Sequence, residues 1–115
     1  MKRRKIETKH EKISAYKRYG AVSSGLKCIL LSKDEKLKHE VFILQFEPES
    51  SSNLNKNNGF EEFYVIEGEQ IDDDGKVFKK VDYVKFVKGT KHSSYSKTGC
   101  ILLVILFAGT NDLTG

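Results

Sequence analysis

Residues 53–92 read NLNKNNGFEEFYVIEGEQIDDDGKVFKKVDYVKFVKGTKH, and this stretch decides the fold. Within it, Phe60 to Glu67 (FEEFYVIE) mixes aromatic and β-branched side chains and reads as a strand. A period of two puts Glu61, Phe63 and Val65 on one face and Glu62, Tyr64 and Ile66 on the other. Phe63 and Val65 then belong to a core, and Glu62 faces solvent. Gly68 opens EQIDDDGKVF, where Asp74-Gly75 between Ile71 and Val77 signals a hairpin because both residues accept φ > 0. Val81 to Val87 (VDYVKFV) alternates in part, Lys88-Gly89-Thr90 is a turn, and His92 to Ser96 is a further short strand.

The same signals continue outward. Cys100 to Phe107 (CILLVILF) is apolar throughout, as a strand covered on both faces would be. Glu40 to Phe46 (EVFILQF) is a strand that ends at Glu47-Pro48, Leu26 to Leu31 (LKCILL) is another, and Glu49 to Gly59 is a polar loop. No stretch beyond the N-terminal arm shows a convincing helical apolar period. Seven or eight short, closely spaced strands predict an all-β sandwich or barrel. Closing the sheet covers one face of the later strands, and a second copy of the chain can cover the other.

The chain has 115 residues, enough for one domain with a real core. Its net charge is +4 and its pI about 9.0, which invites a nucleic-acid partner. The charge is not spread that way. Residues 1–20 hold eight basic and two acidic side chains, whereas residues 21–115 hold twelve and fourteen. Basicity sits in an arm, 1–12, around Lys2-Arg3-Arg4-Lys5, with no stacking aromatics interleaved, so a nucleic-acid partner is not expected. The folded part spans 13–109 and a polar tail 110–115. The longest apolar run, Ile101 to Ala108, is too short for a membrane helix, which needs about 20 residues. No apolar stretch follows the charged start, so no secretory signal is read, and Cys28 and Cys100 are expected as free thiols in a cytoplasmic protein. His10 and His39, each next to Glu among lysines, read as solvated.

Glu61 followed by six residues and Gly68, then Gly89-x-x-His92, resembles the cupin superfamily, whose motifs are H-x-H-x3-E-x6-G and G-x-x-H. The detail is similar to the ChrR-like branch, which includes anti-sigma sensory domains and acetylacetone-cleaving dioxygenases. The matching pieces are Gly59 to Glu62, Val65 to Gly68, Asp72 to Gly75, Tyr83-Val84, Gly89 to His92 and Gly99 to Val104. The resemblance implies a double-stranded β-helix (jelly-roll barrel) with a metal held by two histidines, the Glu and the distal His. Counted back from Glu61, the two histidine positions fall on Asn55 and Asn57. Lys88 stands where a proline is usual, and Glu49 where a glycine is usual.

Amide oxygens are weak ligands for zinc or iron, and a catalytic site needs about three good protein ligands. Glu61 and His92 alone supply strong donors, so no resident cofactor is expected, the alternative being a weakly bound Zn, Fe or Mn on those two residues. Asn55 and Asn57, spaced i, i+2, can both point into a barrel, where Glu61 can accept hydrogen bonds from either. The expected pocket comprises Asn55, Asn57, Glu61, Phe63, Thr90, His92 and Ser94, with Tyr95 a weaker candidate. The function implied is binding of a small ligand. Alternatives are a metal-dependent dioxygenase or lyase, and a regulatory or sensory protein acting through a protein partner. A homodimer is implied by the resemblance.

Overall fold

The computed structural model describes residues 2–7, 14–15, 25–52, 55–56, 59–87 and 89–107. The expected positions Asn57 and His10, the boundary near residue 12 and the tail 110–115 lie outside them. Lys2 to Lys5 are exposed.

The strands are β1 (Ser14–Ala15), β2 (Leu26–Asp34), β3 (His39–Phe46), β4 (Ser50–Ser51), β5 (Asn55–Lys56), β6 (Phe60–Asp72), β7 (Val77–Lys79), β8 (Tyr83–Phe86), β9 (Lys91–His92), β10 (Ser94–Ser96) and β11 (Cys100–Phe107). Among the described residues no helix is long and apolar enough to cross a membrane. One sheet runs β1-β2-β3-β11-β6-β10-β4, with β7 and β8 also paired to β6, and β5 pairs with β9 separately. The pairings are antiparallel. The single-domain all-β fold expected from the sequence is present.

Strand β11 shows why the sheet forms. Its apolar residues alternate between fully and partly buried along the whole strand. Leu102 pairs with Leu44, and Val104 with Phe42 on one side and Phe63 on the other. These side chains join Leu26, Phe46, Val65, Cys100 and Leu106 in one buried cluster. Each such side chain removed from water stabilises the fold by about 1.5–3 kcal/mol before entropy is charged against it. Within the single chain one face of β11 is covered as expected, and Ile101, Leu103, Ile105 and Phe107 on the other face are half-buried, the face for which a second copy of the chain is the expected cover.

Strand β6 is longer than FEEFYVIE suggests and continues to Asp72. Gly68 lets it bend instead of stopping. Its φ is +78°, and a Cβ there would run into the Gly99 carbonyl and lie 2.8 Å from Cys100 Cα. The β11 pairing also slips register between Ile101 and Leu102. The bend has a large consequence. On a straight strand, residues 61 and 72 would stand about 36 Å apart. Here both ends of β6 reach one imidazole, His92.

The expected strand Val81 to Val87 shrinks to β8, because Val81 sits at φ +68° in the preceding turn. The expected strand His92 to Ser96 is broken at Ser93 into β9 and β10. The interior has two kinds of wall. Buried side chains on β2, β3, β11 and the first half of β6 are apolar, whereas Ser50, Gln70, Asp72, His92, Ser94 and Ser96 are buried polar residues.

Candidate functional site

His92 is placed by the short pairing of β9 with β5, where it lies opposite Asn55. The turn before it is closed by Thr90, whose backbone N–H and hydroxyl both donate to the Val87 carbonyl, at 3.2 and 2.7 Å. The Thr90 hydroxyl is therefore engaged in the turn. The imidazole stacks on Phe86, with ring centroids 4.1 Å apart and planes 13° apart. Phe86 in turn pairs in register with Glu61 and lies against Phe63. Phe63 is buried and meets Phe78 edge-on at 5.6 Å, linking the core to the floor beneath His92.

Two carboxylates flank the ring. His92 Nε2 lies 3.1 Å from Glu61 Oε1. On the other side Nδ1 lies 3.3 Å from Asp72 Oδ1, within ion-pair distance but off the line of a directed hydrogen bond. Asp72 Oδ1 also accepts from the Ser94 hydroxyl at 3.2 Å, and Ser94 is itself buried. Burial by itself disfavours a charged imidazole. The contacts with Asp72 and Glu61, and the attraction of both charges, outweigh it and raise the His92 pKa from 6.5 to about 9. At neutral pH the arrangement is a protonated imidazole clamped between two carboxylates, with one negative charge in excess.

The structure thus brings together Glu61, Phe63, His92 and Ser94 from the expected pocket. Thr90 is adjacent but turned to its own loop. Asn55 is placed by its backbone alone, and Asn57 lies outside the described residues. Tyr95 is exposed on β10. Cys100 is buried in the apolar cluster, where desolvation pushes its thiol up to about 11 despite contact with Ser96. Glu62 faces away from the site and accepts a hydrogen bond from the Tyr83 hydroxyl, which raises the Tyr83 pKa. Sequence reasoning misses Asp72 and Phe86. Asp72 reads locally as the start of an acidic hairpin. The alternation Tyr83 to Phe86, which turns Val84 and Phe86 inward, is the available clue to the second. A separate cleft of about 330 Å³ lies at the β6 bend, lined by Phe46, Pro48, Gly68, Thr98 and Cys100, and holds none of the site residues.

The chain matches the ChrR Cupin-like domain model over residues 10–108. It belongs to that family. Among solved structures, this cupin is similar to an RmlC-like cupin from Shewanella frigidimarina, at 20% identity over 87% of this chain and 86% of that one, with a TM-score of 0.72. A putative acetylacetone dioxygenase from Methylibium petroleiphilum is similar at 13% identity over 94% and 78% of the two chains, with a TM-score of 0.82. The Rhodobacter sphaeroides complex of SigE with the anti-sigma ChrR is similar at 16% identity over 74% and 45%, with a TM-score of 0.64. At these identities the likeness shows the fold. Among curated protein sequences none matches this chain.

Cupin relatives raise the question of a metal. Among the described residues, no group of three or more His, Cys, Asp or Glu side chains is arranged to hold one. Glu61 and His92 are the two strong donors at the family's ligand positions, and the other two positions carry amides. In addition, both ring nitrogens of His92 already face carboxylates. This donor set falls short of the three good protein ligands that a catalytic zinc or iron site uses.

Proposed function

We propose that this cupin binds a small organic ligand in the interior of its curled sheet, at the site built on Glu61, His92 and Asp72, and works without a tightly bound transition metal. The observation that carries this is His92 clamped between two carboxylates drawn from opposite ends of one bent strand. A half-apolar, half-polar interior with a few oriented charged groups is the usual make-up of a small-molecule site. Glu61 is not fully enclosed, its side chain being 15% exposed, which supports approach of a ligand to this end of the clamp.

The rival is a metal-dependent dioxygenase or lyase. It is favoured by the 3.1 Å spacing of Glu61 Oε1 and His92 Nε2, a separation that two ligands on neighbouring corners of one ion also show. Native mass spectrometry of freshly purified protein decides between them. The expected result is an organic mass retained by the wild type and lost in Glu61→Gln, with no stoichiometric Zn, Fe or Mn. Stoichiometric metal that disappears in Glu61→Gln would overturn the proposal in favour of the enzyme.

A further inference from the structure

Among the described residues two buried polar atoms of the polar wall have no directed hydrogen bond: His92 Nδ1, which faces the Asp72 carboxylate, and an amide oxygen that faces no charged partner. Gln70 is 2% exposed, and its Oε1 has no hydrogen-bond partner among the described residues. It stands two residues before Asp72, on the same inward face of β6. Its neighbours are satisfied: the Ser94 hydroxyl donates to Asp72, and the Ser96 hydroxyl donates to the Glu69 carbonyl at 2.6 Å. An amide oxygen taken out of water with no donor is a standing cost that native folds seldom carry without a reason.

Two further features describe what would relieve it. Across the β6–β7 pairing Gln70 lies beside Phe78, which packs against the apolar cluster together with Phe86 and Val84. Phe78 is itself only half-buried, so an aromatic face stands in register beside the amide. The charge of the site also has a definite sign. Glu61 and Asp72 flank a single imidazole, so the three groups together are negative whether or not that imidazole carries a proton. A carboxylate or phosphate head would be repelled, and a hydroxyl or amino head would not.

We propose that Gln70 selects the ligand: the interior takes a small amphiphilic molecule whose hydroxyl or amino group donates to Gln70 Oε1 while its apolar part rests on the aromatic surface beside Phe78. This rests on the small-ligand function proposed above and narrows its ligand to neutral or cationic hydrogen-bond donors.

The test uses the full ¹⁵N-labelled chain and three probes that share one apolar body: benzyl alcohol, benzylamine and benzoate. Benzyl alcohol and benzylamine are expected to shift the backbone signals of Gln70, Asp72 and Ser94 and the Gln70 side-chain amide, with benzoate leaving them in place at the same concentration. Gln70→Met keeps the shape and removes the acceptor. It is expected to weaken benzyl alcohol at least about fivefold, the size of one neutral hydrogen bond. Its ligand-free melting temperature is expected to stay level or rise, because no acceptor is left unpaired. Gln70→Glu keeps the acceptor, adds charge and is expected to favour benzylamine over benzyl alcohol, which tests the inference even if Gln70→Met folds poorly. Benzoate binding as tightly as benzyl alcohol would overturn the inference. So would unchanged affinity in Gln70→Met, which would leave the small-ligand function standing without a role for Gln70. No interior signal moved by any probe in the wild type would overturn both.

Discussion

Raising the pH should loosen this protein through His92. Its folded pKa of about 9 stands above the ordinary 6.5. The fold therefore favours the protonated imidazole, and the contribution is fully present below pH 6.5 and disappears as pH rises through about 9. The groups facing the ring account for the sign: Glu61 on Nε2 and Asp72 on Nδ1, both carboxylates, and the uncharged ring of Phe86 below. A tenfold change in proton affinity is worth about 1.4 kcal/mol, so the stability at stake is roughly 3 kcal/mol. The His92 side chain is 6% exposed, so little solvent screening reduces it. Urea unfolding at pH 6 and at pH 9.5, on the wild type and on His92→Gln, isolates the effect from lysine and tyrosine titration common to both. The wild type should lose roughly 3 kcal/mol more than the variant across that interval. Parallel pH profiles for the two proteins would refute the clamp.

Other perturbations reach the same structure from different sides. Asp72→Asn removes one of the two flanking charges and should lower the His92 pKa by about 1 or more, read from the imidazole C–H signals in an NMR titration; an unmoved pKa would mean that Glu61 alone holds the proton. Val81 is 66% exposed at φ +68°, a backbone conformation that burdens a β-branched residue. Val81→Gly keeps the N–H donated to the Val65 carbonyl and should stabilise the fold by about 1 kcal/mol net of the entropy glycine adds to the unfolded chain, raising the melting temperature by about 4 °C. Gly68→Ala drives a methyl group into the Gly99 carbonyl and should cost roughly 3 kcal/mol or more in denaturant unfolding; a neutral result would mean the β6 bend does not depend on this glycine.

Much of the fold is legible locally. The extent of Cys100 to Phe107 can be read off to within a residue because an unbroken apolar run between Gly99 and Gly109 has one register in which alternate side chains are buried. The Asp74-Gly75 hairpin is equally visible, and Ile71 does pair with Val77. The failures share a cause. Local reading ends β6 at Glu67, since glycine followed by polar residues looks like a turn, whereas pairing with β7 and β10 carries the strand onward. The β-branched side chain of Val81 places it in a strand, and the turn that β8 needs overrides that propensity.

By itself the sequence determined the all-β architecture, the inward face of Glu61 and Phe63, and a histidine after a glycine turn, because period-two alternation and turn chemistry act over a few neighbouring residues. The family's frame is written in the same short motifs. Only the tertiary structure decided that Asp72 shares His92 with Glu61, that Phe86 lies beneath the ring, and that Gln70 presents a buried oxygen to the interior. Glu61 and His92 stand 31 positions apart in the chain. The clamp exists only because β6 bends at Gly68 and brings its two ends to opposite sides of one imidazole. No local pattern encodes where a bent strand returns.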